Sequence, residues 1–359
     1  MINRRTFSKA VGLGTGAAAV SLAGLQASPA AAAPGGGAGA GSGGPVPTVP
    51  SVAPGTHTSF HRIKHVRAGL LNVGYAEAGP AHGPVVICLH GWPYDIHSFV
   101  DVAPLLADQG YRVIVPYLRG HGPTRFLSQR TFRNAQQSAI ALDIIALMDA
   151  LKIDKAVLAG FDWGSRTADI IAALWPERVK ALVSVSGYII TNVEAQKTPL
   201  APQAEHTWWY QYYFATERGR AAMNDDTYRP QLCRLVWDLV SPTWNYDDAT
   251  FQRTAAAFEN PDYPDIVIHN YRWRLGLADG EHRYDRYEKK LFATPHIHTP
   301  TITLDAELDP FTPPPGDGSS YRNHFTGPYD HRTLKGIGHN LPQEAPTAFT
   351  QAVIDADHL

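Results

Sequence analysis

The 359 residues carry 31 Lys+Arg against 33 Asp+Glu, a formal charge of −2, and 44 % of them are apolar. A mildly acidic chain without basic clusters argues against a nucleic-acid binder or a protein drawn to anionic membranes. Only two cysteines occur, Cys88 and Cys233, in no metal or redox spacing; this rules out a disulfide framework, and Cys88 inside "VVICL" reads as a small core hydrophobe.

The chain begins with Arg4 and Arg5 ahead of Phe7 and Lys9, a short glycine-rich apolar stretch, and an alanine run ending near Ala33. Such a segment is too short and too rich in glycine to span a bilayer, and has the pattern of a twin-arginine signal peptide over residues 1–33. It predicts export to the periplasm or the extracellular space, and without its three cations the net charge becomes −5. Residues 34–55 then read as a Gly/Pro-rich linker without structure of its own.

From residue 56 the pattern changes. "HRIKHVRAGLLNVGYAEAG" suggests an antiparallel pair of strands. Short β-branched runs follow at 84–89, 112–116, 155–160, 180–186, 299–304 and 331–335, with helical patterns from Asn134 and Ser165 between them. Near-continuous apolar strands alternating with helices predict an α/β fold: a mostly parallel, eight-stranded sheet with helices on both faces. The sheet is expected to draw on residues 56–187 and 299–359. Residues 188–298 interrupt it; they hold ten of the 16 tyrosines and five of the eight tryptophans, and predict an inserted helical cap over the strand ends, where open α/β sheets bind ligands.

Four segments carry chemistry. In "GFDWGS", Asp162 follows a strand and precedes a helix, with Gly160 and Gly164 permitting the sharp turn that exposes a nucleophile. Taken alone, an aspartate there is equally a helix N-cap, so the other segments decide. "TITLDAELDPFTPP" puts Asp309 just past a strand, a better placement for an orienting acid than its neighbours Asp305 and Glu307. "GIGHNLPQEAP" puts His339 in a glycine-rich loop before the last helix. "LHGWP" supplies an early loop in which His90, Gly91 and Pro93 support backbone donors, so that the amides of Trp92 and Trp163 would form an oxyanion hole. A carboxylate nucleophile is already ionised at neutral pH, and its attack on a saturated carbon gives a stable alkyl ester, whereas attack on an ester gains nothing.

"HGWP", "GFDWGS", "ELDPFTPP" and "GIGHNLPQEAP" together resemble the α/β-hydrolase superfamily, specifically the aspartate-nucleophile branch of epoxide hydrolases and haloalkane dehalogenases. The resemblance runs from about Phe60 to the C-terminus. It implies Asp162 as nucleophile, His339 as base, Asp309 as its orienting acid, and no cofactor or metal. The cap segments "WWYQYYFATERG" and "HNYRWRLG" are similar to those in which epoxide hydrolases carry two ring-opening tyrosines, which maps them onto Tyr210 and Tyr271; packing competes with that role, because Tyr212 and Tyr213 stand beside Tyr210. The function implied is an exported epoxide hydrolase that turns a small epoxide and water into a vicinal diol through an alkyl-aspartate ester, as a monomer or homodimer with no nucleic-acid or membrane partner. The alternatives are a haloalkane or haloacid dehalogenase with the same Asp–His–Asp set, and a catalytically silent binding protein. A serine esterase fits less well, because Ser165 lies in the helix and not at the turn. Arg125 and Arg166 are candidates to meet a substrate carboxylate, as arginines do in fluoroacetate-type dehalogenases, with surface or helix-start roles the preferred expectation.

Overall fold

The computed structural model describes residues 46–359. The expected signal peptide and the first part of the expected linker lie outside the described residues. Residues 46–55 correct the reading of 34–55 as an unstructured linker. Val49 is buried, and the amides of Val49 and Val52 donate to Gln351 Oε1 and Thr347 Oγ1, each at 2.9 Å. The Gly55 amide donates to Asp101 Oδ2 at 2.7 Å. Pro47, Pro50 and Pro54 already restrict the backbone, which lowers the entropy lost when this strap is ordered, and side-chain acceptors satisfy the amides between them.

In chain order the elements are β1 (Ile63–Ala68), β2 (Leu71–Ala78), β3 (Val85–Leu89), α1 (Val102–Asp108), β4 (Arg112–Pro116), β5 (Arg125–Phe126), α2 (Gln137–Ala150), β6 (Ala156–Gly160), α3 (Trp163–Leu174) and β7 (Val179–Val185). A strandless stretch follows with α4 (Pro202–Thr207), α5 (Trp209–Phe214), α6 (Glu217–Asn224), α7 (Tyr228–Val240), α8 (Asp248–Ala255), α9 (Tyr263–Arg274) and α10 (Asp285–Phe292). The sheet then resumes with β8 (Thr301–Ala306) and β9 (Tyr329–Leu334), and the chain closes with α11 (Leu341–Glu344) and α12 (Pro346–Asp357).

Eight strands run in the order β1-β2-β4-β3-β6-β7-β8-β9, parallel from β4 to β9 and antiparallel at the β1–β2–β4 end. The two-residue β5 pairs with β2 and adds a ninth strand to the eight expected from the sequence. Its brevity explains why no alternating pattern announces it. β6 and β8 are buried at every position, as strands covered on both faces must be. α1 packs with α12 and α2 with α3 against the sheet.

Strand register decides which loops meet. Leu89 pairs with Gly160 and Gly160 with Ser184. The segments leaving β3 and β6 therefore emerge side by side at the carboxyl edge, where β8 also ends. This edge of an open parallel sheet is where side chains from distant parts of the sequence converge.

Candidate active site

Asp162 occupies the single residue between Phe161 and α3, which starts at Trp163 and not, as expected, near Ser165. Its backbone has φ 54° and ψ −122°, a left-handed φ that costs an ordinary residue on the order of 1–3 kcal/mol. Close packing holds the turn in place. A Cβ added at Gly164 would lie 1.9 Å from the Leu89 carbonyl oxygen, and one at Gly91 would lie 2.5 Å from Asp162 Cβ. The Asp162 side chain makes no capping bond to α3; it points instead to the Trp92 amide, which donates to its Oδ1 at 2.7 Å.

His339 faces the other oxygen. Its Nδ1 donates to Asp309 Oδ2 at 2.8 Å, which leaves Nε2 turned to Asp162 Oδ2 at 3.7 Å. That distance is an electrostatic contact, too long for a hydrogen bond. Burial works against the imidazolium, but the Asp309 and Asp162 carboxylates outweigh it and push its pKa up to about 10. Burial likewise works against the Asp162 carboxylate; His339, the Trp92 amide and Arg166 together hold its pKa below the ordinary value. The two alternatives to Asp309 are engaged elsewhere. Asp305 accepts from the Tyr321 hydroxyl at 2.9 Å, and Glu307 accepts from the Gly336 amide at 2.8 Å.

The His339 loop is clamped by a carboxylate that sequence reasoning missed. Glu344 accepts from the amides of Gly338 and Asn340 at 2.9 and 3.0 Å and from Ser241 Oγ at 2.7 Å; Ser241 Oγ in turn accepts from the His339 amide at 3.0 Å. The early loop is braced by His90, whose Nδ1 donates to the Gly91 carbonyl at 2.8 Å while Nε2 accepts from the Leu118 amide at 3.1 Å. Both ring nitrogens are thereby used, and burial lowers the His90 pKa, so the ring is neutral and structural. The Pro93 carbonyl accepts from Trp237 Nε1 at 2.9 Å, tying this loop to α7. Ser165 is also occupied: its hydroxyl donates to the Gly160 carbonyl at 2.8 Å and accepts from the Val185 amide at 2.7 Å.

The helical stretch closes over this edge. Tyr210 on α5 and Tyr271 on α9 are buried, their rings 5.4 Å apart and 5.3 and 5.2 Å from the Trp92 ring. Of the neighbouring phenols, Tyr212 is exposed and Tyr213 half-buried, so Tyr210 is the one of the three that turns inward. Burial raises both the Tyr210 and the Tyr271 pKa, which keeps the phenols protonated at neutral pH. The indole N–H groups of Trp92 and Trp163 are buried without an acceptor among the described residues.

Asp162, His339, Arg166, Arg274, Trp208 and Phe311 enclose a cavity of about 60 Å³. Tyr210 also borders a mostly apolar hollow of about 200 Å³ formed with Trp209, Val236, Leu239 and Val240. Arg166 stands in the first turn of α3, as a helix-start role predicts, and not at the surface. It is 4 % exposed and lines the cavity, because α3 begins at once after the turn and places a residue four positions on above Asp162. Arg125 does lie at the surface, bonded to local carbonyls. Arg274 was legible in principle, since it follows Tyr271 by three residues on one helix and so shares its face. Among the described residues there is no cluster of three metal-ligating side chains.

The sequence pattern of the alpha/beta hydrolase fold family matches residues 84–346, and the chain belongs to that family. Within it, the chain is epoxide hydrolase-like. Epoxide hydrolase 2 of Siraitia grosvenorii is 34 % identical over 131 residues, 36 % of this chain and 41 % of that protein; the match thus spans about two fifths of that relative. Epoxide hydrolase B of Mycobacterium tuberculosis is 26 % identical over 301 residues, 80 % of each chain. The crystal structure of a candidate epoxide hydrolase from Klebsiella pneumoniae is 58 % identical, covers 84 % of this chain and 98 % of that one, and superposes with a TM-score of 0.81.

Proposed function

We propose that the chain is an exported epoxide hydrolase that forms and then hydrolyses an alkyl ester of Asp162. The observation that carries this reading is a carboxylate at the strand–helix turn with two buried phenols, Tyr210 and Tyr271, near enough for its charge to act on both. Asp162 attacks a ring carbon, the carbon–oxygen bond breaks, and the leaving oxygen takes a proton from Tyr210 or Tyr271. An alkoxide is a poor leaving group without that proton, whereas a halide needs only N–H donors. Water between His339 and the ester then attacks the Asp162 carbonyl carbon. His339 takes its proton, and the amides of Trp92 and Trp163 receive the charge on oxygen. The adduct then breaks the bond between the Asp162 carbonyl carbon and the diol oxygen, which takes the proton from His339; the remaining acid proton of Asp162 returns to the phenolate through solvent, so the net change is one water added and one diol formed. The N-terminal Arg-Arg segment supports export, and the names of the relatives support the epoxide. A second reading, a dehalogenase, rests on one observation: the indole N–H of Trp163, without an acceptor among the described residues, would suit a departing halide.

The test is intact-protein mass spectrometry of His339→Gln, incubated with an aryl epoxide and, separately, with a bromoalkane. Addition of the whole epoxide mass to Asp162, persisting for hours, is the expected result. A shift with the bromoalkane alone, equal to its alkyl group, would move the assignment to the dehalogenase, and no adduct on folded protein would leave a binding protein.

A further inference from the structure

Among the described residues, four other than glycine have a left-handed φ: Lys152, Asp162, Ser186 and Thr294. Lys152 and Thr294 are exposed, just past the ends of α2 and α10. Asp162 and Ser186, in contrast, both line the small cavity. Such a backbone is unfavourable for a residue with a Cβ, and it persists where the surrounding structure holds it and the site uses it. Asp162 is the nucleophile of the proposed reaction, but Ser186, with φ 63°, has no step in it.

Strand register puts the two residues next to each other. Gly160 of β6 pairs with Ser184 of β7, and Asp162 and Ser186 each follow that pair by two residues. The turn at Ser186 is held on three sides. Its amide donates to the Leu304 carbonyl at 2.8 Å, and Asp169 on α3 accepts from the Ile189 amide at 3.1 Å. The Tyr321 ring covers Gly187 so closely that a Cβ there would lie 2.3 Å from it. The Ser184 hydroxyl is spent on the Gly187 carbonyl at 2.8 Å. The Ser186 hydroxyl makes no hydrogen bond among the described residues and is left to the cavity.

Hydrolysis of the Asp162 ester needs one more polar partner. The attacking water gives one hydrogen to His339 Nε2, which is buried without a partner among the described residues. Its other hydrogen needs an acceptor, so that a lone pair points at the carbonyl carbon. Of the side chains around the cavity, Arg166, Arg274 and Trp208 only donate, Ile189 and Phe311 are apolar, and Asp162 is by then an ester. Ser186 Oγ is the side-chain acceptor that remains. We propose that Ser186 positions the hydrolytic water, accepting a hydrogen bond from it while His339 takes its proton. Ser186 itself gains and loses no proton, so it acts on ester hydrolysis and not on alkylation. The inference rests on the Asp162 ester of the proposed function, but not on the leaving group, because an epoxide and a halide lead to the same kind of ester.

The test separates the two steps in the full-length protein. Ser186→Ala keeps the Cβ and its backbone demand and removes only the hydroxyl, whereas Ser186→Gly also relieves the left-handed φ and is expected to melt higher than Ser186→Ala. In quenched-flow single turnovers with an aryl epoxide, both variants are expected to break down the ester roughly tenfold more slowly than the wild type, while alkylation changes less than about twofold. Intact-protein mass spectrometry should then show the ester accumulating in the steady state. If either variant keeps the wild-type ratio of the two rates, even with both steps slowed, the proposal is overturned and Ser186 only shapes the turn. If a bromoalkane alone alkylates Asp162, the same comparison on that ester decides the role of Ser186, and the epoxide reading alone falls. If neither reagent alkylates folded His339→Gln protein, both are overturned.

Discussion

The two walls of the cavity are built by different physics. On the sheet side, Asp162 and the Asp309–His339 pair are fixed by hydrogen bonds of 2.7 and 2.8 Å to partners that follow neighbouring strands, and the His339 amide adds a 3.0 Å bond to Ser241 at the end of α7. On the helical side, Tyr210, Tyr271 and Arg274 are positioned mainly by aromatic faces at 5–6 Å. A directional bond fixes an atom to a fraction of an ångström, while ring packing fixes a surface and tolerates rearrangement. Substitutions on the sheet side should therefore remove steps of the chemistry, and those on the helical side should change which leaving group or substrate is accepted.

The sharpest way to break this contrast is to remove both phenols. Tyr210→Phe with Tyr271→Phe keeps the ring packing and is expected to slow epoxide opening roughly 10²- to 10⁴-fold. Single-turnover alkylation measured by quenched flow is the readout, with any reaction of a bromoalkane as control, since that leaving group needs no proton. If epoxide opening slows less than about tenfold, the two tyrosines pack and do not donate.

A smaller effect follows from charge. Before reaction, the Asp162 carboxylate helps to hold His339 protonated, with a pKa of about 10. In the proposed mechanism esterification would neutralise Asp162, so that the imidazolium would lose that support, its pKa would fall, and the base would become available only once there is an ester to hydrolyse. The sign is clear: ester hydrolysis should slow about tenfold per unit as pH drops below this lowered pKa. Alkylation needs only the Asp162 anion, whose pKa is held below the ordinary carboxylate value, and should persist to a distinctly lower pH. Separate pH profiles for the burst and for the steady state check this, and coincident acid limbs would remove His339 from its assigned step.

Much of the sheet-side wall was legible in the sequence because strands end abruptly: Asp162, Asp309 and His339 each stand just past a β-branched run, and parallel topology then brings such positions together. The helical wall was legible only as tyrosine positions. Which of Tyr210, Tyr212 and Tyr213 turns inward depends on the packing of α5 against α9, which no local pattern encodes. The burial of Arg166 in the first turn of α3 was hidden for a related reason. A buried arginine contradicts its propensity, and only the closure of α9 and Trp208 over α3 takes it out of water. The strap at 46–55 was equally hidden, because its acceptors Gln351 and Thr347 lie some 300 residues away.

Glu344 gives the smallest effect and the finest test of how the sheet-side wall is held. It sits in the quoted segment "GIGHNLPQEAP" yet touches no reacting atom; it accepts from two amides flanking His339 and from Ser241. Burial raises its pKa, against the pull of those donors. Glu344→Gln keeps the volume but replaces one accepting oxygen with an amide nitrogen that confronts donors, leaving at least one buried N–H unpaired at a cost of about 1–3 kcal/mol. The expected result is a lower denaturation midpoint with an unchanged m-value. If Glu344 only stabilises the fold, alkylation and ester hydrolysis will keep their ratio in the folded variant. If it positions His339, ester hydrolysis alone will slow, because alkylation by Asp162 needs no accurately aimed imidazole.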